Sequence, residues 1–128
     1  MAKATVQKAK DIRWFRAPEI TLMRMGREVA RYRGTVGKLD LPAGRIELTR
    51  AEASVGGAGL TAGRLSVDLP RTRLVAEDGV RLDEAGVTLE GQRASALPSL
   101  SRLRFHGAVR LRAKTREAAD ALLGSRLA

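Results

Sequence analysis

The chain has no cysteine, which excludes disulfides and thiolate metal sites at the outset. It has one histidine, His106, so no imidazole pair is present to hold a metal. Rings are scarce: Trp14, Phe15, Tyr32 and Phe105 are the whole aromatic set. No apolar run approaches the ~20 residues that a membrane-spanning helix needs. The first ten residues, MAKATVQKAK, are basic and lead into no apolar core, so no signal peptide or anchor is legible there. The expectation is either a cytoplasmic chain or a soluble piece of a protein whose anchor or signal has been removed.

Catalytic motifs are also missing. Gly56-Gly57-Ala58-Gly59 is followed by Leu60-Thr61, not by the Lys-Ser/Thr pair that opens a helix in a phosphate-binding loop. The carboxylates Glu77/Asp78 and Asp83/Glu84 are sequence neighbours, and neighbours on a strand point to opposite faces. They read as turn residues. His106, between Phe105 and Gly107, has no orienting carboxylate or nucleophile signalled nearby, so it reads as structural or merely exposed. A non-enzyme without a cofactor is expected.

What is present is alternation. Ile46/Leu48, Leu65/Val67/Leu69, Val80/Leu82, Val87/Leu89, Leu103/Phe105 and Val109/Leu111/Ala113 repeat with the period of two that marks half-buried strands. Turn signals recur every 7–12 residues with no helix between the strands, as in an antiparallel sandwich, barrel or roll. The apolar phase slips by one between Leu48 and Ala51, which predicts a bulge or kink near Arg50. Asp78-Gly79 predicts a hairpin turn, and Leu103 to Ala113 predicts a final hairpin. Ala94 to Pro98 carries no clear signal. Thr115 suits a helix N-cap, with Ala118, Ala119, Leu122 and Leu123 at helical spacing after it. The expected organisation is a flexible basic arm over 1–11, one β domain over 12–114, and a short helix or tail over 115–128.

Lys and Arg total 24 against 14 Asp and Glu, a net charge of +10. Only Lys3, Lys8, Lys10, Lys38 and Lys114 are lysines, so arginine dominates. The pairs Arg31/Arg33, Arg71/Arg73, Arg102/Arg104 and Arg110/Arg112 are spaced to project from one strand face. Two readings stay open: a stripe that meets an anion such as nucleic acid, or the solvated face of an amphipathic sheet. With so few rings, stacking on bases has little support. The opposite face is aliphatic, which suits either an ordinary core or the lining of an acyl-chain groove.

The cadence from Leu60 to Leu82, then Gly86-Val-Thr-Leu-Glu-Gly, and again from Leu103 to Lys114 resembles the lipopolysaccharide-export bridge proteins, the LptC and LptA/OstA N-terminal relatives. The resemblance covers about residues 19–114. It implies an all-β antiparallel jellyroll, or twisted two-sheet roll, whose groove shields acyl chains and whose open strand edges pair with related subunits or with further copies of itself. The groove candidates carried over are Leu65, Val67, Leu74, Val80, Leu82, Val87, Leu89, Leu103, Phe105, Val109 and Leu111. The arginine pairs become candidate contacts for phosphate or carboxylate. The implied partner is lipopolysaccharide or another acylated anionic lipid, and the implied location is periplasmic or at the inner membrane. The alternatives are a polyanion- or nucleic-acid-binding barrel and a ligand-free self-assembling scaffold.

Overall fold

The computed structural model describes residues 12–40 and 42–127, so the expected arm over 1–11 lies outside the described residues. The chain forms β1 (Ile12–Arg16), β2 (Glu19–Arg24), β3 (Arg27–Arg33), β4 (Val36–Asp40), β5 (Arg45–Val55), β6 (Ala58–Asp68), β7 (Arg73–Glu84), β8 (Val87–Gly91), β9 (Arg93–Ala96), β10 (Arg104–His106) and β11 (Arg110–Ala113). Helix α1 (Arg116–Leu122) and a π-helical turn (Leu123–Leu127) follow. Every strand pairing is antiparallel, and the sheet does not close.

Strands β5, β6 and β7 are the long spine. The shorter strands lie end to end: β1 with β2, β4 with β3, β9 with β8, and β10 with β11. One half of the sheet runs β1-β4-β5-β6-β7-β9-β10, and the other runs β2-β3-β5-β6-β7-β8-β11. The breaks line up as a seam through Ala17-Pro18, Gly34-Thr35, Arg50, Gly63, Asp78-Gly79, Gln92 and Gly107 to Val109. Ala17, Arg50, Asp78, Gly79 and Gly107 take φ values of 46°, 48°, 61°, 82° and 85° there, which turns the pleat over. Backbone bonds still cross it, such as Ala17 N–H to Thr35 O at 2.8 Å and Gln92 N–H to His106 O at 3.0 Å.

The kink expected near Arg50 is this seam. Ile46 and Leu48 are buried before it and Ala51 and Ala53 after it, while the β5–β6 register runs unshifted from Arg45↔Asp68 to Val55↔Ala58. Two expectations are corrected. Asp78-Gly79 is not a hairpin turn; it is a bulge inside β7 that absorbs one extra residue opposite Gly63. The segment from Leu103 to Ala113 is not a hairpin, because β10 pairs with β9 and β11 with β8. Ala94 to Ala96, unassigned from sequence, belongs to β9. The Met25-Gly26 and Ala85-Gly86 turns have positive φ at both central residues, as two-residue hairpins require.

Both halves of the sheet contribute to one contiguous core. The loop after β9 adds buried Leu100 and Leu103, and Tyr32 on β3 donates its hydroxyl to Pro98 O at 2.7 Å. The C-terminal segment closes that end. Thr115 caps α1 by accepting from Ala118 N–H at 3.1 Å, and Leu122 is buried. Arg126 then reaches Glu84 through Nε and Nη2 at 2.9 and 2.8 Å, while its carbonyl accepts from Leu103 N–H at 2.7 Å.

Candidate functional site at the open edge

The aliphatic face is closed at one end and open at the other. Leu65, Val67, Leu74, Val80, Leu82, Val87, Leu89 and Leu103 are each 3% exposed or less, packed inside the closed core. Phe105 is half-buried against that core. Val109 and Leu111 are exposed, at 48% and 41%. The sequence-derived groove set therefore divides into an interior and an edge.

The accessible apolar surface lies beside β1 and β2. A cleft of about 280 Å³ opens there, lined by Phe15, Pro18, Ile20, Leu39, Ile46 and Leu48, with Gly37 among them. Its shape follows from the seam. Positive φ at Ala17 turns the chain so that Pro18 lies on Gly37, where a Cβ would stand 2.6 Å from Pro18 Cγ and 3.0 Å from Leu48 Cδ2. Glycine is what lets the two half-sheets approach at this point. Ile20 from one half and Leu39 from the other then face a shared space that the core leaves unfilled.

Arg16, Glu19 and Lys38 also line this cleft. The Lys38 Nζ lies 5.7 Å from the centre of the Trp14 ring, within cation–π range, and Trp14 is 67% exposed. The cleft thus combines an aliphatic lining with cations, which suits the boundary between an acyl chain and an anionic headgroup. Sequence reasoning missed it. The available signal was the alternation of Ile20 and Leu22 directly after Pro18.

The arginine pairs are dispersed. Arg31 and Arg33 sit on the outer face of β3, Arg31 at 2.9 Å from Glu28 and 3.3 Å from Glu19, and Arg33 at 3.2 Å from Glu52. Its carboxylate neighbours, Glu28 above all, raise the pKa of Arg31. Arg110 and Arg112 share the outer face of β11. Arg71 lies in the turn before β7 and Arg73 begins that strand, while Arg102 lies in the loop before β10 and Arg104 begins it. Arg45, Arg71, Arg73 and Arg93 surround an outer-face cleft of about 280 Å³, but Glu47, Asp68 and Glu77 share its lining. His106 is exposed on β10. Among the described residues, no three His, Cys, Asp or Glu side chains gather as a metal site.

No protein-family model matches the chain, and no curated protein matches it in sequence. Among solved structures, the fold is similar to LptH of Pseudomonas aeruginosa, the LptA homologous periplasmic component of the conserved lipopolysaccharide transport device. The TM-score is 0.61 at 11% identity, over 84% of this chain and 98% of that one. At that identity the likeness establishes the fold: an unclosed antiparallel β-jellyroll of the LptA-like type.

Proposed function

We propose that this chain is a non-enzymatic lipid-binding scaffold that shields acyl chains at its open edge and assembles with jellyroll units through its free strands. The observation that carries the reading is the cleft between the half-sheets, where half-buried Ile20 and Leu39 flank an open space floored by the core residues Ile46 and Leu48. Apolar surface left open in a water-soluble fold gains from covering, at about 25 cal/mol per Å² of apolar area buried. Arg16 and Lys38 suit the phosphate or carboxylate of the same amphiphile. The LptA-like fold and the periplasmic transport role in the name of LptH support this reading and a periplasmic or inner-membrane location.

The experiment is native mass spectrometry of the chain after lipid-preserving purification, paired with titration of an acyl-chain fluorophore. Retained acylated anionic lipid, or saturable probe binding that lipopolysaccharide displaces, is expected. Absence of both overturns the reading. A second reading, polyanion or nucleic-acid binding, draws on the arginines of the outer-face cleft. It requires single-stranded DNA binding that weakens steeply from low to physiological salt.

A further inference from the structure

The hairpin between β2 and β3 runs past the sheet that carries it. β3 pairs with β5 only from Arg31↔Ser54 to Arg33↔Glu52. The adjoining β5–β6 tip turns at Gly56-Gly57, and Gly56 shares a surface hollow with Glu28 and Val29. Arg24, Met25, Gly26 and Arg27 therefore project beyond that tip, by roughly 7 Å at the rise of a strand.

Three features of the projecting tip are unfavourable in the chain alone. Met25 is 96% exposed, the most exposed large apolar side chain among the described residues, and Met23 is 55% exposed. Met25 also has a φ of 53°, at a turn position that Asn, Asp and Gly fill more readily. Arg24 and Arg27 stand directly opposite each other, and like charges so placed repel. Among the described residues no carboxylate lies within ion-pairing distance of either. The nearby acid, Glu28, is occupied: its two oxygens accept from Arg31 Nε and Nη2 at 2.9 and 3.1 Å. The other two-residue tips are plain by comparison. Gly56-Gly57 carries no side chain and Ala85-Gly86 carries one methyl, which is all that reversing the chain needs.

We propose that the β2–β3 tip docks this protein on an anionic membrane surface, with Met23 and Met25 entering the acyl boundary and Arg24 and Arg27 on lipid phosphates. Each unfavourable feature then has a counterpart. The thioether side chains leave water, and the opposed guanidinia gain anions beside them. Unbranched methionines suit a fluid acyl boundary because they adapt their shape. Cations interleaved with apolar residues on one short segment match headgroups lying directly over acyl chains. The cleft takes only Glu19 and Ile20 from this hairpin, at its opposite end beside the seam. The docking tip is thus separate from the proposed acyl-chain site and stands or falls without it.

The test is co-sedimentation of the full chain with vesicles of phosphatidylcholine, alone or mixed with phosphatidylglycerol. Binding to the mixed vesicles that weakens with salt, and little binding to phosphatidylcholine alone, is expected. A net charge of +10 attracts the chain to such vesicles from any side, so the variants test position. Met23→Ser with Met25→Ser leaves charge unchanged and should weaken binding at least about tenfold. Arg24→Gln with Arg27→Gln should weaken it at least about tenfold as well. Arg64→Gln with Arg116→Gln removes the same charge from exposed positions elsewhere and should change binding less than about threefold. Met25→Trp in a Trp14→Phe background should shift its emission to shorter wavelength on the mixed vesicles. No binding by the parent at low salt overturns the proposal and leaves the tip to a protein partner. Equal losses from the two arginine pairs, methionine variants that bind like the parent, or unshifted emission also overturn it. Acyl-probe titration keeps the two sites apart: the tip variants should bind probe as the parent does, and Leu39→Ser should lose probe while keeping vesicles.

Discussion

Gly63 of β6 faces the bulge of β7 so closely that a methyl group on it would stand 2.7 Å from Asp78 Cβ and 2.8 Å from Asp78 O. The obstacle is mostly backbone, which does not swing aside as a side-chain tip would. Gly63→Ala is therefore expected to destabilise the fold by about 2–3 kcal/mol, the upper part of the overpacking range. Gly59→Ala on the same strand meets nothing within 4 Å and should stay within about 0.5 kcal/mol of the parent. Urea denaturation of both variants checks the pair, and equal midpoints would remove the seam as a packing constraint.

The Tyr32 hydroxyl makes the second prediction. It is fully buried, donates to Pro98 O at 2.7 Å, and burial pushes its pKa up to about 12. The unfolded phenol titrates near 10. A raised folded pKa means that the contribution is intact below pH 10 and is lost as pH rises toward 12. Tyr32→Phe should cost about 1–3 kcal/mol at pH 8, because the Pro98 carbonyl loses its donor. It should also flatten the fall in stability between pH 10 and 12, measured by thermal melts across that window.

Strand content was legible in the residues because a half-buried strand must alternate, and Ile46/Leu48, Val87/Leu89 and Thr115 with its helix behaved as their patterns predict. The seam was legible only at Arg50. Asp78-Gly79 reads locally as a hairpin because Asp and Gly both accept positive φ, and a bulge demands the same conformations. Only the position of Gly63 across the sheet decides between them. The cleft was less legible still. Leu65 and Leu39 are the same residue type on the same face, and their difference is that Leu65 has β7 beyond it while Leu39 lies next to an edge strand. Such position in the sheet order is not a local property of sequence.

That difference gives the third prediction. Ile20→Ser and Leu39→Ser each remove about three carbons from the cleft wall, at about 0.8 kcal/mol per buried methylene equivalent. Each is expected to weaken acyl-probe binding about tenfold or more while the chain stays folded, since neither residue is fully buried. Val109→Ser, on the exposed edge loop, should leave probe binding unchanged. Equal losses from all three would place the binding surface elsewhere.

The Glu84–Arg126 clamp makes the last prediction, and it concerns acid. The two hydrogen bonds from Arg126, more than its charge alone, hold the Glu84 carboxyl below its ordinary range against the opposing effect of burial. A depressed folded pKa contributes stability that is present above the unfolded value, near 4.3, and that is lost as pH falls through the folded one. Asp83 is also depressed, by the Thr88 hydroxyl first and by Arg81, so its contribution has the same sign. Glu84→Gln should cost about 1–3 kcal/mol at pH 7, where an Arg126 that also bonds Ser99 O at 3.1 Å loses its ionic partner. Below pH 4 the variant and the parent should converge, leaving the shallower slope that Asp83 supplies. Melting curves from pH 7 to pH 3 decide it: parallel curves with a constant gap would mean that the clamp does not depress the Glu84 carboxyl in the folded chain.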